Sequence, residues 1–301
     1  MSTKKKRVLF IVNPISGYSN KIDIHSLLKE NLDLGKFDFE YKETEFKGHG
    51  SELAAQAILD GLDIVVACGG DGTVNEVARP LVNSKVTMGI IPNGSGNGFA
   101  MHIGMGRNIK KAILKINDAE PVTIDTCTVN GEFFLNLAGV GFDALIAYKI
   151  DNSQKRGLPM YATTVTKEVF RFTPEEFKII TDTGSQTGKY SVVAVANSAM
   201  YGYNFTIAPQ AKLADGLLDV VLIKDASILR TVLSSWRMLN NSIQKSNLVE
   251  VMQSKEVRIS LDKPYYYHID GESFEFDNEL HFKIVPQSLH ILMPNESKSL
   301  L

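Results

Sequence analysis

The apolar run Ile64-Val65-Val66-Ala67-Cys68 ends directly in Gly69-Gly70-Asp71-Gly72-Thr73. That order predicts a buried strand, a glycine turn and a helix start. Glycines there let the main chain approach a ligand with no Cβ in the way. Thr73-Val74-Asn75-Glu76 fits a capping box, with Thr73 as N-cap and Glu76 three residues on. A helix begun this way turns free amide N–H groups and the positive end of its dipole toward the loop, which suits phosphate. Asp71 adds a constraint, because a carboxylate beside a phosphate repels it unless it holds a cation or handles a proton. The loop therefore points to phosphate with Mg²⁺, or to phosphate with a general base. For the pentapeptide alone, a plain tight turn with Asp71 as a turn residue is the alternative.

Strand and helix signals alternate on either side of this loop. Strands are predicted at 7–12, 37–44 (with Phe37, Phe39 and Tyr41 alternating), 64–68 and 86–91. Helices are predicted at 23–31, at 51–59 with Ser51 as N-cap and Gly61 as stop, at 75–82 and at 109–115. Such alternation predicts a parallel sheet with helices on its faces and ligands at the carboxyl ends of the strands. Three loops fall at that edge: Asn13-Pro14-Ile15-Ser16-Gly17, residues 69–73, and Pro92-Asn93-Gly94-Ser95-Gly96-Asn97. The last is not a dinucleotide fingerprint, because Phe99 stands where the third glycine belongs. It is not a Walker A loop either, since no Gly-Lys-Ser/Thr follows. Its small residues, hydroxyl and amide still make a nucleotide cradle.

Near Asp125 the pattern changes. Strands at 122–129 and 132–138 are joined by Asn130-Gly131, a strong hairpin signal. Further strands are predicted at 176–182, 190–196, 217–223, 255–261, 265–269 and 280–285, with helices at 158–171 and 227–244. This is mostly antiparallel β, a sandwich or barrel-like second domain. The fold class read from the chain is an α/β N-terminal domain followed by a mostly antiparallel β domain. The expected divisions are 1–125, 126–288 and a C-terminal segment 289–301 that can return to the first domain, with 297–301 frayed.

Composition narrows the function. The chain carries 32 Lys and Arg against 34 Asp and Glu, a net charge of −2, which argues against nucleic acid. Cys68 and Cys127 form neither a disulfide framework nor a metal-ligand spacing, which fits a reducing, cytosolic setting. Lys4-Lys5-Lys6-Arg7 ahead of an apolar run mimics a signal peptide, but the run is only five residues long. No segment approaches the ~20 apolar residues of a membrane span, so any membrane contact is expected to be peripheral. Leu229, Val232, Leu233, Trp236 and Leu239 form an apolar helical stripe beside Arg230 and Arg237. Packing on the sheet is favoured for it over a membrane surface. The six histidines form no ligand cluster and read as structural, with His49 supporting Gly48-His49-Gly50. Asp270-Gly271-Glu272 is either hairpin chemistry or a base opposite the phosphate loops. Asp215-Gly216 is either a turn or a carboxylate-plus-carbonyl cation site.

In combination these motifs resemble the diacylglycerol kinase catalytic-domain family, which includes soluble bacterial lipid kinases, sphingosine kinases and ceramide kinases. The likeness covers about residues 8–290. It rests on Asn13-Pro14-x-Ser16-Gly17, Gly69-Gly70-Asp71-Gly72-Thr73-x-Asn75-Glu76 and Pro92-x-Gly94-Ser95-Gly96-Asn97. It rests also on Gly139-x-Gly141-Phe142-Asp143, on Ala208-Pro209 followed by Asp215-Gly216-x-Leu218-Asp219, and on Asp270-Gly271-Glu272. NAD kinases and phosphofructokinases share the Gly-Gly-Asp-Gly element but differ elsewhere.

The resemblance implies an NAD-kinase-like parallel α/β domain, a C-terminal β-sandwich and an ATP site in the cleft between them. It assigns the nucleotide to Asn13, Ser16, Thr44, Gly69, Gly70, Gly72, Thr73, Asn75, Glu76, Gly94, Ser95 and Asn97, with Arg156 as a phosphate-binding arginine. The base maps to Glu272 or to Asp71. A structural Mg²⁺ maps to the main chain of Lys212 and Leu217 and the carboxylate of Asp215. Asp143 is placed to meet an amine or hydroxyl of the lipid head. One departure stands out: many bacterial members read G-T-x-N-D, whereas here Ser95 replaces the threonine and Gly98 the aspartate, while Asp125 is kept. That is closer to the sphingosine kinase version and tilts the expected lipid from diacylglycerol toward a long-chain sphingoid base. The implied protein is an ATP- and Mg²⁺-dependent lipid kinase, cytoplasmic and peripheral at the inner membrane surface. It meets membrane lipid only transiently and no nucleic acid, and its oligomeric state is left open, a dimer included. The alternatives are an NAD-kinase-like or other soluble-substrate kinase, or a catalytically weak lipid- or nucleotide-binding protein, for which Gly98 is the motive.

Overall fold

The computed structural model describes residues 4–17, 22–153, 157–226 and 236–301. The chain divides into two units, Met1–Thr126 with Pro286–Leu301, and Cys127–Val285.

In the first unit, β1 (Lys6–Val12), α1 (Ile24–Asn31), β2 (Phe37–Glu43), α2 (His49–Leu59), β3 (Ile64–Gly69), α3 (Asp71–Leu81) and β4 (Thr87–Pro92) alternate along the chain. The strands pair in parallel in the order β4-β3-β1-β2. β1, β3 and β4 are buried on both faces, which is why they read as continuous apolar runs rather than alternating ones. Helices α4 (Gly98–His102) and α5 (Ile109–Asp118) follow, and α5 is capped by Asn108, which accepts from Lys111 N at 2.9 Å. Sequence signals missed α4.

Two helix starts differ from the sequence reading. The N-cap of α3 is Gly70 and that of α2 is Gly48 (φ +92°), neither with a side-chain cap bond. Thr73 and Ser51 lie inside the first turns because distant partners take their hydroxyls. Thr73 Oγ1 accepts from Asn13 Nδ2 at 3.1 Å, and Ser51 Oγ donates to Glu76 O at 2.6 Å. Glu76 does not close a capping box; its Oε1 accepts from Gly48 N at 2.9 Å.

β5 (Glu120–Val129) leads into the second unit, where it forms a hairpin with β6 (Glu132–Phe134). Asn130 and Gly131 both have positive φ, +51° and +88°, as the two-residue turn between them requires. The single strand expected at 132–138 is instead β6 and β7 (Leu137–Gly141), broken at Leu135-Asn136. Then come α6 (Phe142–Asp151), which the sequence reading missed, and α7 (Leu158–Glu168). The remaining strands are β8 (Glu175–Thr181), β9 (Gly184–Ala196), β10 (Met200–Gly202), β11 (Phe205–Thr206), β12 (Leu218–Lys224), β13 (Val249–Ser254), β14 (Glu256–Ser260), β15 (Tyr265–Ile269), β16 (Glu272–Phe276) and β17 (Glu279–Met293).

Within this unit the antiparallel order is β16-β15-β7-β9-β8-β14-β17, with β12 paired to β9 and β13 to β12. Alternate residues of β9 feed two cores. Val193 and Val195 join Phe134, Phe177, Leu218, Val220 and Phe282, while Val192, Ala194 and Ala196 join Ile207, Ala208 and Val221. That alternation is the signature of a sheet covered on both faces.

The end of β17 rejoins the first unit, where Ile291 pairs in parallel with Met88 of β4. A 3₁₀ segment, Asn295–Leu300, follows rather than the frayed tail expected. It is held because Lys115 Nζ binds Glu296 at 2.6 Å, Lys298 pairs with Glu120, and Ser297 is buried. Of the stripe expected at 227–244, residues 227–235, with Arg230, lie outside the described residues, whereas 236–239 are helical. Met238 packs on the second core, but Trp236 is 67% exposed, so the favoured core reading fails for the tryptophan.

Candidate active site

In the first unit, three strand ends bring three loops together. The pairing continues past the strands: Asn13 N donates to Cys68 O at 2.9 Å, Thr44 N to Val12 O at 2.8 Å and Asn93 N to Gly69 O at 2.8 Å. Side chains then tie loop to loop. Asn13 Nδ2 donates to Thr73 Oγ1 at 3.1 Å, and Asn93 Nδ2 to Ser16 Oγ at 3.1 Å. At the crossing of the second and third loops, a Cβ on Gly94 would overlap the Cα of Gly70. A Cβ on Gly69 would likewise run into the Thr73 side chain. These glycines are required by close approach, not by φ.

Around that crossing the expected nucleotide residues take different roles. Gly72 and Ser95 are exposed, and Asn13, Ser16, Thr44, Gly70, Asp71, Asn75, Glu76 and Gly94 are half-buried. Asn97 is only 4% exposed, and its amide is turned inward: Oδ1 accepts from Gly94 N at 2.8 Å and Nδ2 donates to Gly94 O at 2.7 Å. Asn97 therefore shapes the loop from φ +52°, a conformation asparagine tolerates. Glu76 ties α3 to the Gly48 turn. His49 supports the same turn, with Nδ1 accepting from Glu45 N at 3.0 Å and its ring stacked on Phe46 at 4.6 Å. Asp71 sits in the first turn of α3, beside the helix amides that have no intrahelical acceptor. The arrangement offers main-chain donors and one carboxylate at an open edge, which is suited to polyphosphate with a cation. Beneath it Cys68 is buried, and burial pushes its thiol far up, so it is inert packing.

The second unit holds the other named residues. Asp270 and Gly271 form the β15–β16 turn with φ +48° and +93°. The Asp270 carboxylate accepts from three consecutive amides, Leu135 N at 3.0 Å, Asn136 N at 2.9 Å and Leu137 N at 3.0 Å. This breaks the strand expected at 132–138 and fixes the turn that presents Glu272, which is half-buried at the start of β16. The same hairpin is held against α6: Ser273 N donates to Asp151 Oδ2 at 2.7 Å, and Tyr266 stacks on Tyr148 at 4.1 Å.

At the other end of α6, Asp143 Oδ2 accepts from Tyr201 Oη at 2.6 Å and lies 3.0 Å from His268 Nε2. Sequence reasoning missed Tyr201 and read His268 as structural. Before β12, Asp215 is exposed, with Oδ1 accepting from Leu217 N at 3.0 Å, and Lys212 and Leu217 are half-buried nearby in sequence. Asp219 is 2% exposed, and its carboxyl is pushed up to about 7 by burial first and then by the Asp215 charge. No group of three or more His, Cys, Asp or Glu side chains fit to hold a metal occurs among the described residues. Arg156 lies outside the described residues.

Comparison with known proteins follows this division. Residues 7–129 match the diacylglycerol kinase catalytic domain, and residues 136–293 match the YegS C-terminal NAD kinase beta sandwich-like domain. A diacylglycerol kinase of Bacillus subtilis is 27% identical, over 97% of this chain and 97% of its own length. A crystal structure of a diacylglycerol kinase from Bacillus anthracis superposes with a TM-score of 0.74 at 22% identity, covering 99% of this chain and 100% of that one. An ATP complex of an NAD kinase from Archaeoglobus fulgidus shares the fold at a TM-score of 0.51 and 14% identity, over 97% of this chain and 95% of that one. The α/β and β-sandwich halves and their motifs thus agree with one assignment: this chain belongs to the diacylglycerol kinase catalytic-domain family of lipid kinases.

Proposed function

We propose that this chain transfers the γ-phosphoryl group of ATP to a hydroxyl of a membrane lipid, with a long-chain sphingoid base preferred over diacylglycerol. The observation that carries the kinase reading is the crossing of Gly70 and Gly94, with Asn13 bonded to Thr73 and Ser16 to Asn93. It gathers amide donors where a triphosphate needs them, and phosphoryl transfer asks mostly for positioning and charge neutralisation. Mg²⁺ bound with ATP neutralises phosphate charge, Arg156 adds to it, and Glu272 or Asp71 takes the hydroxyl proton. The preference for a sphingoid base rests on Ser95 and Gly98, the positions at which this chain follows the sphingosine kinase pattern. No helix among the described residues is long and apolar enough to cross a membrane. The proposed encounter with lipid is transient, from the cytoplasmic side, with exposed Trp236 and neighbouring Arg237 as contacts. The deciding experiment is ATP turnover with sphingoid bases, ceramides, diacylglycerols and NAD. Sphingoid-base phosphorylation is expected to be fastest. Turnover of NAD alone overturns the lipid reading, and a faster rate with diacylglycerol overturns the preference.

A structural Mg²⁺ is proposed at Asp215 with the carbonyls of Lys212 and Leu217. The residues fit a hard cation: an exposed carboxylate at a turn lies near Asp219, whose Oδ2 is buried with no protein partner. Adding Mg²⁺ at about 100 times its Kd is expected to raise the melting temperature by roughly 5 °C, and Asp215→Asn to abolish the rise. An equal rise in that variant, read by thermal melting against matched ionic strength, places the cation elsewhere.

A further inference from the structure

Asp143 is the one residue of the second unit that the family resemblance offers to the lipid head, and its surroundings show how it is held. It opens α6, and Gly139 of β7 faces it so closely that a Cβ there would come within 3.3 Å of Asp143 Oδ2. His268 pairs with Gly139 across β15 and β7, is 2% exposed and turns Nε2 to the same oxygen. Tyr201, from β10, brings its hydroxyl there from another direction, while Oδ1 accepts from Ala144 N at 2.9 Å. The surroundings are aromatic: Tyr201 lies 6.1 Å from the His268 ring, Tyr161 6.4 Å from Tyr203, and Phe142 5.2 Å from Phe172. Burial, and then the Asp143 charge, pushes the Tyr161 phenol up to about 12 and the Tyr201 phenol well above its ordinary value. Both phenols therefore keep their protons, and the Tyr201 hydroxyl remains a donor to Asp143.

We infer that His268 and Tyr201 are positioning residues for substrate recognition, a clamp that fixes the Asp143 carboxylate for the polar head of the acceptor lipid. A carboxylate has about four lone-pair sites. Tyr201, His268 and Ala144 occupy three of them in a fixed geometry, and the Asp143 side chain remains 12% exposed. The ligand class that completes the set is a donor-bearing head, an ammonium or hydroxyl next to the reacting hydroxyl. His268 turns Nε2 to the carboxylate, which can only accept, so the N–H that serves the clamp is the one on Nε2, while Nδ1 is buried with no protein partner. A donor from each side holds one rotamer of Asp143 in an apolar setting, where an unfixed carboxylate would turn toward water.

This inference rests on the lipid kinase reading, and the test separates the two. Steady-state kinetics on the full chain, with sphingosine and with diacylglycerol in mixed micelles, are measured for wild type, Tyr201→Phe, His268→Leu and His268→Gln. Calorimetric ATP affinity and the melting temperature are measured on the same samples. Tyr201→Phe and His268→Leu are expected to raise the KM for the accepted lipid about 10-fold each, the loss of one hydrogen bond to a charged group. The kcat and the ATP affinity stay within about 2-fold, and His268→Gln, which keeps a donor, recovers most of the KM. Tyr201→Phe is isosteric, so it stays informative even where His268→Leu unfolds. Unchanged lipid KM in a folded Tyr201→Phe variant, or a fall confined to kcat, overturns the clamp and leaves the kinase reading standing. ATP binding by a wild type that phosphorylates neither lipid overturns both.

Discussion

Asp71→Asn is expected to lower phosphoryl transfer at least ~100-fold, the low end for losing a proton acceptor, while leaving the fold intact. The substitution keeps the shape of a residue in the first turn of α3 and removes its charge. That charge is well placed in the fold, at the positive end of a helix. It is badly placed for bare triphosphate, so a phosphate site beside it calls for a cation or a proton to handle. The measurement is kcat at saturating ATP and lipid, with ATP affinity read separately. Near-wild-type kcat removes Asp71 from the mechanism and leaves Glu272 as the base. A large loss of ATP affinity with kcat kept makes Asp71 a nucleotide-site residue instead of a base.

The second large effect concerns stability. Asp270→Asn is expected to destabilise the second unit by about 3 kcal/mol, since hydrogen bonds to a charged group contribute about 1.5–3 kcal/mol each and an amide can replace only some of them. The Leu135, Asn136 and Leu137 amides otherwise lose their shared carboxylate acceptor in a buried stretch. Asparagine tolerates the +48° φ of this turn, so the backbone is not the cause. The melting transition is expected to fall by roughly 10 °C. A shift under about 2 °C would mean that the three amides find other acceptors, and the turn would then owe its shape to Gly271.

What could be read from the chain followed local physics. Parallel strands buried on both faces declare themselves as apolar runs, and Gly69 to Thr73 and Asn130-Gly131 are turn chemistry with one solution. What could not be read depended on partners far along the chain. Thr73 and Ser51 have good capping side chains, but Asn13 and Glu76 engage them across 60 and 25 residues. The break at Leu135-Asn136 is imposed by Asp270, more than a hundred residues later. α6 was missed because Ala144, Ile146 and Ala147 are buried among further apolar residues, so its period is weak. His268 looked like packing because a lone histidine in a strand usually is; only the structure shows it paired with Gly139 across the strands and turned to Asp143, some 125 residues earlier. In the candidate site, sequence pattern names the loops, and only the structure separates residues facing outward, such as Ser95, from those bracing the loop, such as Asn97.

The return of Pro286–Leu301 to the first unit sets an order of events during synthesis. β4 carries the Pro92–Asn97 loop, and its outer neighbour is Ile291. That neighbour leaves the ribosome only after all of Cys127–Val285, a delay of roughly 10–30 s at ~5–20 residues per second. Through that interval the nascent first unit has an unpaired strand edge at Met88, the kind of edge that pairs with other chains. The three loops thus complete their support only once the second half of the chain has been made, so a stalled or truncated ribosomal product would be exposed to aggregation before that edge is covered.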